Sequence, residues 1–412
     1  MMIGEALPPV RSVAHPRRPL VGPSQAYRLS RAFLLILLAT TLDVTSFLNR
    51  GNALRYAILL PPLAVALGIR LRLHSPYIRR LRASDRILLL LFLWGMLGTL
   101  YGILFKTIPD PLLTLFGPMA IAFLYLGTLE GLTEEEAHRL LRNIAAIGAL
   151  YICLNAFVNV GIVHGLAAYR QYRNAQLLFV AIGVAGAIVL RKRLRLTVLL
   201  LLIVVIFATY PSGTAILVFL VTAATLWMTK ARGSSLRPLA VGAVLAVTLM
   251  LALSNFGWGV QLSSDYFQAV GKSNNTSTRA ALWQAGIEKF QESPLVGRSF
   301  SGGTTVVARR VPGGRVIQLP FHNDYILFLT AGGLLGLGLF VLWAVVTDVI
   351  VLRRYRALLA AGRNAHADLI RVLLIAFNCF LCAAAFNPEV TGVSRSATIF
   401  AIYGVMMLAG RP

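Results

Sequence analysis

One apolar run follows another along this chain, and that pattern constrains its fold more than any other feature. "AFLLILLATTLDVTSFL" at 32–48, "RILLLLFLWGMLGTLYGILF" at 86–105 and "LIRVLLIAFNCFLCAAAF" at 369–386 each approach the ~20 residues that a helix needs to cross a bilayer. About twelve such segments can be marked, near 31–48, 52–69, 87–105, 109–129, 144–164, 176–190, 196–210, 213–228, 238–256, 323–350, 370–387 and 393–409. "TYPSG" at 209–213 splits one long run into two helices. With 57% hydrophobic and 13% charged residues, and a mean hydropathy of +0.74, the chain cannot be an ordinary soluble domain. The fold expected is all-α: a polytopic integral membrane protein of about twelve transmembrane helices.

The formal net charge of +24 raises the question of a nucleic-acid partner. In a polytopic chain, excess Lys and Arg is first a topological signal, so no nucleic acid is implied. Placing the N-terminus inside puts two thirds of the 39 Lys and Arg residues on the inner side. Both termini are then cytoplasmic. Residues 1–30 form a basic, proline-containing tail without the cleavage site of a secretory signal, and the first span acts as an uncleaved anchor. Spans one to nine occupy 31–256, an outer loop runs through 257–320, and the last three spans fill 321–412. Cys153, Cys379 and Cys382 all lie in apolar runs, where packing explains them better than a metal or disulfide framework. In "LTEEEAHRLL", Thr133 and Glu136 have capping-box spacing, and the acidic triplet suits a helix N-terminus.

A loop as long as 257–320 is functional or disordered, and this one carries a pattern. In "STRAALWQAGIEKFQESPLVG", Leu282, Trp283, Ile287 and Phe290 form an apolar stripe at helical spacing, and Ser293-Pro294 ends it. A short amphipathic helix lying on the outer membrane surface fits. The chain then returns to the membrane through "FHNDYILFLTAGGLLGLG". His322 there is either an interfacial histidine beside a helix cap formed by Asn323 or Asp324, or a general base for an attacking hydroxyl. Arg279 opens the amphipathic helix, and Arg170 and Arg173 in "AYRQYRNAQ" face outward between spans five and six. Singly they read as snorkelling arginines; together they suit a diphosphate. Gly332 and Gly336 have the small-xxx-small spacing of closely packed spans. Glu389 in "FNPEVTG" is a loop residue or an active-site acid. No D-x-D, H-E-x-x-H or Cys/His cluster occurs, so no metal or other cofactor is expected.

The stretch from "STRAALWQAGIEKFQESPLVGRSF" to "FHNDYILFLTAGGLLGLG" resembles the signature of the O-antigen ligase/polymerase family. The residues carrying the likeness are Arg279, Trp283, Pro294, Leu295, Gly297, His322, Asn323, Gly333 and Gly336. The resemblance implies a metal-independent inverting glycosyltransferase at the outer face of a bacterial cytoplasmic membrane, with a polyprenyl-diphosphate-linked glycan as donor. It implies that His322 deprotonates or positions the acceptor hydroxyl. Arg279 and one of Arg170 or Arg173 bind the diphosphate, and Asn323 and Glu389 contact substrate. Membrane lipid surrounds the site, and a chain-length regulator is a further partner expected on this basis. Polymerase and ligase differ only in acceptor: a second glycan repeat, or lipopolysaccharide core or protein. The order Leu-Pro-Phe-His-Asn lacks the second histidine of many ligases, which favours a polymerase of O-antigen or exopolysaccharide repeats. The competing class, a transporter of lipid-linked sugar, calls for charges deep in spans. Asp43 and Asp348 are the few here.

Overall fold

Lipid offers no partner to a backbone N–H or C=O, so apolar crossing segments must pair their own backbone as helices. The computed structural model describes residues 24–41, 52–72, 81–106, 116–125, 131–162, parts of 221–229, 275–298, 300, 305–310, 316–321, 323–385 and 393–409. In these stretches the chain is helical apart from one hairpin. The elements are α1 (Gln25–Thr41), α2 (Asn52–Arg72), α3 (Ala83–Lys106), α4 (Gly117–Tyr125), α5 (Glu134–Ile162), α6 (Asn275–Gln291), β1 (Thr305–Arg310), β2 (Val316–Pro320), α7 (Asp324–Ala360), α8 (Asn364–Ala384) and α9 (Val393–Ala409). By length and apolarity α3, α7 and α8 can each cross a membrane, and α9 adds a shorter apolar helix. This is a membrane-embedded helical protein.

The hairpin lies in the stretch expected to be loop. β1 and β2 pair antiparallel, Thr305 opposite Pro320 and Arg310 opposite Val316, with a bulge between Val307 and Arg309. β2 therefore delivers the chain directly to Phe321 and the start of α7.

The bundle core is aromatic where α7, α8 and α9 meet. Trp343 is fully buried; its ring lies 5.2 Å from Phe377, 5.2 Å from Tyr403 and 5.7 Å from Phe400. Polar contacts gather several helix ends at one face of the bundle. The Ser24 N–H and hydroxyl donate to the two carboxylate oxygens of Glu136 at 2.8 and 2.7 Å, joining the starts of α1 and α5. Thr133 N–H donates to Glu136 and Glu136 N–H to Thr133 Oγ1, the reciprocal capping box read from the sequence. Glu134 reaches across to His366 and to the Ala365 N–H, capping α8. Arg82 and Arg354 both donate to the Met407 carbonyl near the end of α9, at 2.9 and 3.4 Å. Tyr403 donates to Asp85 at 2.6 Å.

α7 departs from the single span expected at 323–350. Gly333 has φ 64° and ψ −164°, outside any helix, and the chain folds back there. In a straight helix, Phe328 and Phe340 would stand ~18 Å apart along the axis; their rings instead stack with centroids 4.3 Å apart. Tyr325 likewise lies 5.5 Å from Phe340. Residues 324–332 thus form a short arm packed back along the long arm, 334–360. From Leu334 to Leu352 the long arm rises roughly 28 Å, close to the ~30 Å of bilayer hydrocarbon, and Arg353, Arg354 and Arg356 follow. The short arm therefore carries Asn323 about 15 Å from the break towards the bundle middle.

Candidate functional site

α6 is rich in good helix formers (Ala280, Ala281, Leu282, Gln284, Ala285), and its last turn closes through Ser293 and Pro294. Gly297 N–H returns to the Ser293 carbonyl at 2.9 Å. The turn that follows is zipped into the break of α7. Leu334 and Leu335, the first residues beyond the break, donate to the carbonyls of Pro294 at 2.8 Å and Leu295 at 3.1 Å. The carbonyls of Thr330 and Ala331, released by the break, accept from Arg298 N–H at 3.2 Å and Phe300 N–H at 2.7 Å. Four groups that a broken helix leaves orphaned are thereby paired by the loop.

Glycine permits this approach at two points. A Cβ on Gly333 would lie 2.3 Å from the Leu295 carbonyl oxygen, and one on Gly297 would lie 2.4 Å from Gly333 N; both residues have positive φ. Phe300, itself at φ 58°, fills the space beside them. Its ring meets Phe116 at 5.2 Å and Phe328 at 5.9 Å, edge to face. Gly332 and Gly336 face this Phe300 ring, and Gly336 also the Phe328 carbonyl of the short arm. Small-xxx-small packing against another span, the expectation for this pair, is replaced by packing against the inserted loop and the folded-back arm.

The same unit sets the position of Arg279. Gly286 packs against Phe321 and Ile326, so this face of α6 lies on the start of α7. Residues 279, 282 and 286 share that face by helical spacing. Leu282 on it is buried, and Trp283 beside it is half-buried. Ile287, placed in the apolar stripe, is instead exposed. Arg279 stands two turns from Gly286, roughly 10 Å along the axis. Arg279 is half-buried: its Nε is shut from solvent and bonds to no described residue, and burial pushes its pKa below the ordinary arginine value.

At the head of α7, Asn323 is the N-cap. Its Oδ1 accepts from Tyr325 N–H at 2.9 Å and Ile326 N–H at 3.1 Å. That leaves its carboxamide nitrogen outside the cap. Asp324 is fully buried, and Tyr325 donates to the Leu381 carbonyl at 3.1 Å, tying the short arm to α8. Deeper in the bundle, the Asn378 amide donates to both Asp348 oxygens at 3.0 and 3.2 Å. The sequence signal for this pair is a lone acid in an apolar helix, a functional hint by default. Cys379 and Cys382 beside it form no disulfide, and Cys379 lies against the Thr222 hydroxyl at 3.2 Å. Among the described residues no three His, Cys, Asp or Glu side chains gather as a metal site would need. His322, Arg170, Arg173 and Glu389 lie outside the described residues. Of the site expected from sequence, then, Arg279 and Asn323 have described positions, on two elements packed together. No protein-family model matches this chain, and no curated protein matches it.

Proposed function

We propose that this protein is a metal-independent inverting glycosyltransferase that polymerises polyprenyl-diphosphate-linked oligosaccharide repeats, of the O-antigen ligase/polymerase kind. In this reading the chain has twelve spans in the inner membrane of a bacterium. The face that gathers Glu136, Arg82 and Arg354 is cytoplasmic, as are both termini, and α6 faces outward. The observation that carries the reading is the half-buried Arg279, with its Nε shut from solvent, held on the face of α6 that packs against Phe321 and Ile326 on either side of His322-Asn323. An arginine in a partly dry site binds and stabilises a departing diphosphate, work otherwise done by a metal ion.

The acceptor hydroxyl gives its proton to His322. Its oxygen bonds to the anomeric carbon as the carbon–oxygen bond to diphosphate breaks on the opposite face, and lipid diphosphate leaves with its charge on Arg279. Arg170 or Arg173 supplies a second cation. The Asn323 carboxamide nitrogen and Glu389 hydrogen-bond glycan hydroxyls. A ligase acting on lipopolysaccharide core uses the same steps with another acceptor.

A second reading, transport of lipid-linked sugar, gains from the structure. Spans interrupted at membrane depth are common at transporter binding sites, and α7 is interrupted. The deciding experiment gives purified protein in lipid only the lipid-linked repeat unit. A product ladder lost in His322→Ala supports the polymerase; transfer that requires added lipopolysaccharide core supports the ligase. Movement of the lipid-linked sugar across the bilayer, with no new glycosidic bond, overturns both.

A further inference from the structure

Leu295 and Val296 project into open space from the turn that the loop zips into α7: Leu295 is 71% exposed and Val296 40%. Side chains so placed on a water-facing loop are a liability. Here they continue a surface that already has a partner. Leu334, Leu335, Leu342 and Val345 are all exposed on α7. They recur at helical spacing along an arm long and apolar enough to cross a membrane, so this face is turned to lipid. Backbone hydrogen bonds at 2.8 and 3.1 Å hold Pro294 and Leu295 directly against Leu334 and Leu335. The two loop side chains therefore extend the lipid-facing stripe at the end where the break lies.

Backbone chemistry permits the same placement. An irregular segment enters hydrocarbon at lower cost where its polar groups are paired, and here the Pro294 and Leu295 carbonyls and the Gly297 N–H are bonded. Charge is kept to the rim: Glu292 and Arg298 pair with each other on either side of the apolar tip, where headgroups accept charged side chains.

We infer that the turn at 294–297 is a membrane-inserted anchor whose ligand is the acyl chains of the leaflet on the α6 side. It is more than a surface loop: it fixes the depth of α6, and hence of Arg279, against the bilayer. The inference needs only a membrane-embedded chain and stands whether or not the protein transfers sugar.

The test uses the full-length protein carrying Leu295→Cys, labelled with a small environment-sensitive fluorophore, in phosphatidylcholine–phosphatidylglycerol vesicles. Leu342→Cys serves as the lipid-facing reference and Gln284→Cys, exposed on α6, as the water-facing one. Should Leu295→Cys fail to fold, Val296→Cys replaces it. Quenching by brominated acyl chains to the extent seen at Leu342, with little effect of aqueous iodide, is the expected result. Quenching by iodide as at Gln284 overturns the inference. So does a label that neither quencher reaches, because the side chain would then be covered by protein.

Discussion

Two residues show how this chain uses charge where solvent is scarce. Glu136 joins α1 to α5. Burial raises the cost of its ionisation, but hydrogen bonds from Thr133 and Ser24 outweigh that and hold its carboxyl below the ordinary glutamate value. A carboxyl whose folded pKa is lowered stabilises the fold above the unfolded pKa, and that stability is lost as pH falls through the folded value. Acidification through the carboxylate range is therefore expected to loosen the α1–α5 junction. Glu136→Gln should lower stability at neutral pH by about 1 kcal/mol and flatten the acid limb of a melting-temperature profile. An unchanged acid limb would show that other carboxylates dominate it. Arg279 is the opposite case: it is half-buried, and burial, with no offsetting hydrogen bond or charge, lowers its pKa below the ordinary arginine value.

At the scale of elements, the interlock between the turn after α6 and the α7 break ties together the two elements that carry Arg279 and Asn323. Phe300 is its plug, fully buried between Phe116, Phe328 and Gly332. Phe300→Ala should cost roughly 3–5 kcal/mol, read as a lower melting temperature in detergent. Gly333→Ala should be at least as damaging. It sets a Cβ 2.3 Å from a carbonyl oxygen at a positive φ, and the backbone strain alone costs about 1–3 kcal/mol. Gly338→Ala in the same element meets nothing within 4 Å and should be neutral or stabilising by up to ~1 kcal/mol. Equal effects of the two glycine changes would rule out the break as the sensitive point. The sequence showed α6, its stop at Ser293-Pro294, a cap at Asn323 or Asp324 and the Thr133–Glu136 box, because each rests on neighbours within a turn or two. It did not show the break. "TAGGLLGLG" has helical periodicity throughout, and the decision to fold back is made by hydrogen bonds from residues some 35 positions earlier. The β hairpin was closer to view: β-branched Val306, Val307, Val316 and Ile317 flank Pro312-Gly313-Gly314, a turn signal between strand formers.

For the whole molecule, the fold sets Arg279 on α6 and Asn323 at the head of a folded-back helix arm packed against it, with Arg82 and Arg354 gathered at the end of α9. In the proposed function, the donor is lipid-linked and enters laterally, and the acceptor glycan comes from water. In the proposed function, Arg279 holds the lipid diphosphate that leaves such a donor, the role implied by the likeness to the O-antigen ligase/polymerase signature. Its release is the event to follow. Purified protein in lipid vesicles, given the polyprenyl-diphosphate-linked repeat unit, should release one lipid diphosphate for each sugar linkage formed. Arg279→Ala should slow that release by about 10²–10³-fold while melting as the parent protein does. No release by the parent protein, or release by Arg279→Ala at the parent rate, would contradict the account.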